Sequence, residues 1–258
     1  MKKVFFITGA SSGIGYALAL ELAKKNCRLA LAARRREPLE DLSTRVKQLG
    51  GESLALGCDV GDPLQVKKAI SETIRHFGRI DTAILSAGVT GTTSTLNFRA
   101  AQFERLLRTN VLGVAYCLEE LIPIMQRQQS GVIAAISSLA GDRGIPGSAG
   151  YCATKSALST LFDGLRVELS RDGIKLVTIE PGYVQTPMTE GVENMPFLMQ
   201  ADEAACLIIR RMERGDRVIR FPILPSIFMK VIKFLPVSLF DIVAAKRRPV
   251  RLRQVNEQ

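Results

Sequence analysis

Strand-like apolar runs alternate with longer amphipathic stretches through about the first 180 residues. The runs lie at 3–8, 28–33, 53–56, 80–85, 132–136 and 175–179 and are rich in Val, Ile, Leu, Phe and Ala. They are apolar at consecutive rather than alternate positions and too short for helices, so they predict strands buried on both faces. Between them, helical spacing of apolar residues predicts helices near 14–25, 37–48, 63–76, 100–127 and 150–170. This alternation predicts an α/β fold with one doubly wound parallel sheet and helices on both faces. Ligands of such sheets bind beyond the carboxyl ends of the strands. Thr8, Ala33, Asp59, Ser86, Ser138 and Pro181 all fall at such ends.

Two groups of residues at those ends carry chemistry. The first is TGASSGIG, residues 8–15, directly after the strand-like VFFI. Gly9, Gly13 and Gly15 let the backbone turn sharply and approach a pyrophosphate, and the helix that follows offers it free N–H groups. The spacing departs from Gly-x-Gly-x-x-Gly, and a Gly/Ser turn without a ligand is the competing reading. The second group is Ser138, Tyr151 and Lys155, within ISSLAGDRGIPGSAGYCATK. Tyr151 and Lys155 are one helical turn apart and leave the same helix face. An ammonium beside a phenol stabilises the phenolate and lowers its pKa toward the working range, which makes the pair a candidate proton donor. Ser138 is placed to hold a substrate oxygen between its hydroxyl and that phenol.

The second strand ends LALAARRREP. An acidic residue at this point binds the ribose hydroxyls of NAD, and here there is Ala33 followed by Arg34, Arg35 and Arg36. A guanidinium pairs well with a 2′-phosphate, so NADP is the expected cofactor, with Arg34 the first candidate and Ser11 or Ser12 assisting. The competing reading is an exposed helix start with solvated arginines.

TGASSGIG, Ser86-Ala87-Gly88, Asn110, Ile136-Ser137-Ser138, YCATK (151–155) and PGYVQTP (181–187) resemble, in order and near spacing, the motif series of the short-chain dehydrogenase/reductase family. The resemblance covers about residues 3–190. It implies a Rossmann-type domain, a nicotinamide cofactor, and hydride transfer between that cofactor and an alcohol or carbonyl. Carried over residue by residue, it implies a catalytic set of Asn110, Ser138, Tyr151 and Lys155, with Asn110 bending its helix and holding a water that relays protons to Lys155. The glycine motif, from Thr8 through Gly9, Ser11, Ser12, Gly13 and Ile14 to Gly15, is implied to hold the cofactor. Asp59 and Val60 are implied to hold its adenine, although Asp59 as cap of the helix starting near Pro63 is the alternative. Ser86-Ala87-Gly88 stands where the family has Asn-Ala-Gly, which puts local stability rather than catalysis in question. Pro181, Gly182, Val184 and Thr186 are implied to surround the nicotinamide, Thr186 at its carboxamide, while Tyr151 and Lys155 contact the cofactor as well as the substrate.

Composition narrows the field. With 258 residues and 47% hydrophobic content, no linker and no repeat, the chain reads as one domain. Residues 1–190 form the expected dinucleotide-binding and catalytic core, and 191–258 the expected lid and amphipathic segment of the same domain. Five cysteines without a Cys-x-x-Cys pair suit free thiols in a reducing compartment, so a cytoplasmic location is expected. The apolar stretch at the N-terminus is too short for a signal peptide, and no run of eighteen uncharged apolar residues predicts a spanning helix. The single histidine, His76, precedes Phe77-Gly78 at a predicted helix end, so neither a Ser-His-Asp triad nor a metal centre is expected.

Beyond residue 190 the pattern changes. From Leu207 to Gln258 there are twelve Lys/Arg against four Asp/Glu, within a chain of net charge +10. Basic residues mixed with Phe, Ile, Leu and Met predict amphipathic helices at 226–235 and near 237–247. They fit three partners: an anionic membrane surface, the substrate pocket as a lid, or a second copy of the chain. Nucleic acid is not expected, since aromatic content is low and no reader motif occurs. The expected activity is NADP(H)-dependent reduction of a bulky hydrophobic ketone or aldehyde, or oxidation of the matching alcohol. The alternatives are a 3-oxoacyl-carrier-protein-type reductase and a non-catalytic NADP-binding regulator.

Overall fold

A computed structural model describes residues 2–96, 98–192 and 194–245. Seven strands form one sheet in the order β3-β2-β1-β4-β5-β6-β7, with every neighbouring pair parallel. They are β1 (Val4–Thr8), β2 (Arg28–Ala33), β3 (Glu52–Gly57), β4 (Thr82–Leu85), β5 (Gly131–Ile136), β6 (Ile174–Pro181) and β7 (Val218–Phe221). The chain moves outward from β1 through β2 to β3, then returns to place β4 on β1's other side. A crevice therefore opens beyond the carboxyl ends of β1 and β4.

The consecutive apolar residues of the strands are explained by the two helical layers. Phe5, Ile7, Leu29, Leu31 and Ile179 point into one core, together with Leu18 and Leu22 of α1 (Gly13–Ala23) and Leu39 and Leu42 of α2 (Arg36–Gln48). Phe6, Ala30, Ala32, Ile133 and Leu176 point into the other, against α3 (Pro63–Phe77), α5 (Gly113–Gln128) and α6 (Ala149–Leu169). Full burial of a side chain such as Phe6 or Phe162 contributes roughly 1.5–3 kcal/mol each.

The expected six strands and five helices are present, with three differences. The stretch expected as one helix over 100–127 is α4 (Ala100–Leu107), a π-helical turn (Arg108–Leu112) and α5. The π turn carries Asn110, and such widened turns commonly occur at functional sites. A seventh strand, β7, and a helix, α7 (Ala201–Glu213), were not expected. VIRF in β7 is short and charged, so its pattern alone does not mark a strand, but pairing with β6 completes the sheet. The predicted C-terminal helices are α8 (Ile223–Phe234) and α9 (Val237–Ala245), with α8 beginning three residues before the expected 226. The last two residues of the expected 237–247 helix, and the basic cluster from Lys246 to Arg253, lie outside the described residues. Among the described residues no helix is long and apolar enough to cross a membrane.

Candidate active site

The glycine motif turns tightly because a side chain has no room in it. Gly9 has φ +65°, and a Cβ there would stand 2.7 Å from the backbone of Ala87; one on Gly15 would stand 2.6 Å from the Gly9 carbonyl oxygen. β1 and β4 are also tied at this level by the Ala87 N–H, which donates to Thr8 Oγ1 at 3.2 Å. α1 then starts at Gly13. Its N-cap, Ser12, makes no side-chain capping bond, and no acidic residue stands in the first turn. The free N–H groups and positive end of the helix are left to an anion.

Arg34 and Arg35 both line the mouth of the cleft next to this loop. Arg35 is the residue that reaches across it: its Nη2 donates to Ser11 Oγ at 3.2 Å and to the Ser11 carbonyl at 3.4 Å. The sequence reading favoured Arg34; consecutive residues leaving a strand end point in different directions, and only the coordinates separate them. Arg36 lies beside Gly57 at the end of β3.

Asp59 and Val60 line the same cleft. The alternative role for Asp59 does not hold, because Asp62 caps α3 by accepting from the N–H groups of Leu64 (2.9 Å) and Gln65 (3.3 Å). Asp59 instead accepts from the Gly61 N–H at 3.0 Å.

At the other end, β5 delivers Ser138 and α6 delivers Tyr151 and Lys155. The Ser138 hydroxyl accepts from the Ala140 N–H at 3.1 Å and donates to the Pro181 carbonyl at 3.4 Å. It lines the same end of the cleft as the Tyr151 side chain. The Lys155 ammonium is buried, donates to the Ile136 carbonyl at 2.7 Å, and sits 5.6 Å from the centre of the Tyr151 ring. Gly88 packs beside both: a Cβ there would be in ordinary contact, 3.6 Å from the Lys155 ammonium and 3.4 Å from Asn110 Oδ1. Asn110 is buried. Its Oδ1 accepts from the Val89 N–H (2.8 Å), and its Nδ2 donates to the Val89 carbonyl (2.9 Å) and to Thr154 Oγ1 (3.0 Å). Thr154 in turn donates to the Tyr151 carbonyl at 2.8 Å, so Asn110 braces the turn of α6 that carries the phenol.

The electrostatics differ from the sequence expectation. Burial pushes the Tyr151 phenol up to about 12, and the Ser138 hydroxyl acts in the opposite direction. Burial also pushes the Lys155 ammonium down from 10.5 to about 8. Desolvation therefore sets the direction of the tyrosine shift, opposite to the lowering expected from the neighbouring lysine.

These groups share one cleft of about 290 Å³. Of the sequence candidates, Thr8, Gly15 and Asn110 stand behind its wall, and the rest line it, including Ile14, Ser86, Pro181, Gly182, Val184 and Thr186. Thr186 closes on the glycine loop, with its Cγ2 3.1 Å from the position of a Gly13 Cβ. The sequence reading missed Val89, Thr109, Ser137, Met188 and Thr189 in the lining. Thr189 fixes the turn by accepting from the Thr186 N–H (3.1 Å) and donating to the Val184 carbonyl (2.9 Å), a local capping pattern that TPMT hints at. No cluster of potential metal ligands occurs among the described residues. The tight glycine cradle, the uncapped helix start and the arginines at the end of β2 fit the pyrophosphate of a dinucleotide.

The sequence model of the short chain dehydrogenase family matches residues 3–196. The chain is 39% identical over 229 residues to the 11-beta-hydroxysteroid dehydrogenase-like 3 protein of Arabidopsis thaliana, covering 86% of this chain and 74% of that one. It is 33% identical over 195 residues to a 3-oxoacyl-(acyl-carrier-protein) reductase of Staphylococcus aureus, covering 75% and 79%. Levodione reductase superposes with a TM-score of 0.81 at 30% identity, over 87% of this chain and 98% of that one.

The buried lysine gives a pH-dependent stability. Its displacement from 10.5 to about 8 corresponds to about 3 kcal/mol. Below the folded value the group is charged in both states and the full cost of burying it applies. As pH rises toward 10.5 the folded state releases its proton first, and the cost disappears. Lys155→Met is expected to stabilise the protein by up to about 3 kcal/mol near neutral pH, with the gain closing as the solution becomes alkaline. Denaturant titrations of both proteins across that range check this; a difference independent of pH would contradict it.

Proposed function

The chain belongs to the short-chain dehydrogenase family of oxidoreductases, and on that footing we propose that it transfers hydride between NADP(H) and a carbonyl or secondary alcohol, reducing a bulky hydrophobic ketone or aldehyde of lipid, steroid or retinoid type. The observation that carries this reading is the convergence of Ser138, Tyr151 and Lys155 on one end of a cleft whose other end is the glycine cradle. When bound, the nicotinamide supplies the hydride. Ser138 and Tyr151 hydrogen-bond the substrate oxygen, and Tyr151 donates its proton as negative charge develops there. Lys155 holds the ribose and supports the phenolate that remains, and Asn110 holds a water that returns a proton to Lys155. General acid catalysis of this kind contributes about 10²–10⁴-fold, with oriented hydrogen bonds adding to it. Asp59 and Val60 hold the adenine, and Pro181, Gly182, Val184 and Thr186 surround the nicotinamide.

NADP is favoured over NAD by Arg34 and Arg35 beside the glycine loop, where a guanidinium can pair with a 2′-phosphate. A bulky apolar substrate is favoured by the likeness to the plant hydroxysteroid dehydrogenase-like protein. It is also favoured by the exposed Tyr183, Met188, Phe197 and Leu198 on the segment that follows β6. The likeness to a 3-oxoacyl-carrier-protein reductase and the net charge of +10 support the alternative of a substrate on an acidic carrier. A non-catalytic regulator has no physical need for all four catalytic positions.

A second reading concerns location. α8 exposes Ile223, Leu224, Ile227, Phe228, Val231 and Phe234 around the exposed Lys230. We propose a protein of the cytoplasm that docks this face peripherally on anionic lipid, each basic residue adding roughly 1 kcal/mol near the surface. Pairing of two copies through the same face is the alternative.

Tyr151→Phe is expected to lower turnover about 10²–10⁴-fold while NADPH binding stays near the wild-type value, since only the donor hydroxyl is removed. Turnover on a panel of carbonyls and NADPH fluorescence titration check both halves; retained kcat would refute the proton-donor role. Arg34→Asp and Arg35→Asp are each expected to weaken NADPH about ten- to a hundredfold and to raise relative use of NADH. Equal use of the two cofactors by the unaltered protein would overturn the NADP assignment. For the membrane reading, co-sedimentation with phosphatidylserine vesicles is expected to weaken as salt rises and in Lys230→Glu. Absence of sedimentation at low salt, with a dimer in solution, would favour the pairing alternative.

A further inference from the structure

A buried cluster of charges lies beneath the carbonyl end of the cleft and takes no part in the chemistry described above. Arg220, on β7, forms ion pairs with Asp142 and Glu180 through its two terminal nitrogens. The side chains are 14%, 8% and 9% exposed, so one guanidinium bridges two carboxylates almost out of water. Each carboxylate stands next to something catalytic. Asp142 closes the short turn that starts at Ser138, its N–H donating to the Leu139 carbonyl at 3.2 Å. Glu180 immediately precedes Pro181, whose carbonyl receives the Ser138 hydroxyl.

The cluster also reaches Lys155. Ser159 Oγ donates to Glu180 Oε1 at 2.9 Å and lies 2.9 Å from Ser137 Oγ, which donates to the Lys155 carbonyl at 2.9 Å. On the outer side it meets α8. Lys233 Nζ is 3.8 Å from Asp142, and Arg143 Nη1 donates to the carbonyls of Lys233 (3.2 Å) and Leu235 (3.1 Å). The Arg143 guanidinium also stacks over Phe240, 4.4 Å from the ring centre.

We propose that Arg220 is a positioning residue, holding through Asp142 the turn that presents Ser138 and through Glu180 the segment of α6 that presents Lys155. A guanidinium fits this task because its planar fork can bond two carboxylates at once, whereas an ammonium is a point charge. Burial pushes the Glu180 carboxyl upward while Arg220 opposes it, so the pair is stable as ions only with the bridge intact. Arg220 lies beyond residue 196, where the family match ends. On this proposal the geometry of the carbonyl site is set partly by residues beyond that match. The consequence for turnover rests on the dehydrogenase reading; the mechanical consequence does not.

The experiment pairs two readouts on Asp142→Asn, Arg220→Lys and Arg220→Met in the full-length protein. Hydrogen exchange followed by mass spectrometry is expected to accelerate about tenfold in peptides spanning 137–143 and 155–160, while peptides of β1 and α1 keep their wild-type rates. With NADPH and para-nitrobenzaldehyde as probes, kcat is expected to fall about ten- to a hundredfold in Asp142→Asn with KM for NADPH unchanged, and Arg220→Lys should fall between Arg220→Met and wild type. Asp142→Asn conserves volume and keeps the test decisive where Arg220→Met does not fold. Unchanged exchange over 137–143, or a uniform rise across all peptides, would overturn the positioning role and leave a general contribution to stability. If the unaltered protein reduces no carbonyl, the dehydrogenase reading fails, and the exchange pattern still decides whether the clamp exists.

Discussion

A lysine ammonium held out of water at the end of β5 is the constraint around which the site is arranged. Burying such a charge is costly unless hydrogen bonds replace its hydration, and the Ile136 carbonyl at 2.7 Å replaces part of it. The bond fixes α6 against β5 and thereby sets where Tyr151 meets Ser138. Gly88 lines the wall opposite, where even a Cβ would only reach ordinary van der Waals contact with the ammonium and Asn110. Asn110 could not face Val89 and Thr154 from a regular helix without disturbing the ladder; the π turn gives it that direction. Strand, helix and bulge are three answers to one buried charge.

The parts of this arrangement that the sequence discloses are those set by local rules. Continuous apolar runs identify six of the seven strands, because strands inside a sheet covered on both faces need no polar alternation. Glycines at 9, 13 and 15 and the Tyr-x-x-x-Lys spacing are legible because backbone clearance and helix geometry act over a few residues. The interactions that escaped it act over distance. Whether Arg34 or Arg35 crosses the loop depends on where Ser11 lies, 24 positions earlier than Arg35. The direction of the Tyr151 shift depends on how much protein surrounds the ring. Spacing places Lys155 nearby but does not measure desolvation.

The region after residue 196 shows the same division more sharply. Its composition discloses amphipathic helices, and α8 and α9 are where the apolar spacing puts them. Nothing in VIRF marks it as the seventh strand or marks Arg220 as the partner of two residues 78 and 40 positions earlier. Both follow from β7 pairing with β6, a contact that exists only in the completed sheet. Buried ion pairs are poor stability devices, since desolvation offsets much of their attraction, and they are better suited to fixing a geometry.

The way α7 is seated has a consequence for how the molecule comes into being. Ala204, Ala205, Ile208 and Ile209 of α7 share the apolar layer with Leu18 and Leu22 of α1. Part of the apolar surface of the first helix therefore waits for a helix made almost two hundred residues later. Pairings so distant in sequence carry a high loop-closure cost and slow folding. During synthesis the part of α1 that α7 covers stays exposed until residues 201–213 have emerged. The interval in which the nascent chain is most prone to associate with other chains, or to need a chaperone, is thus written into the position of α7 rather than into the catalytic half.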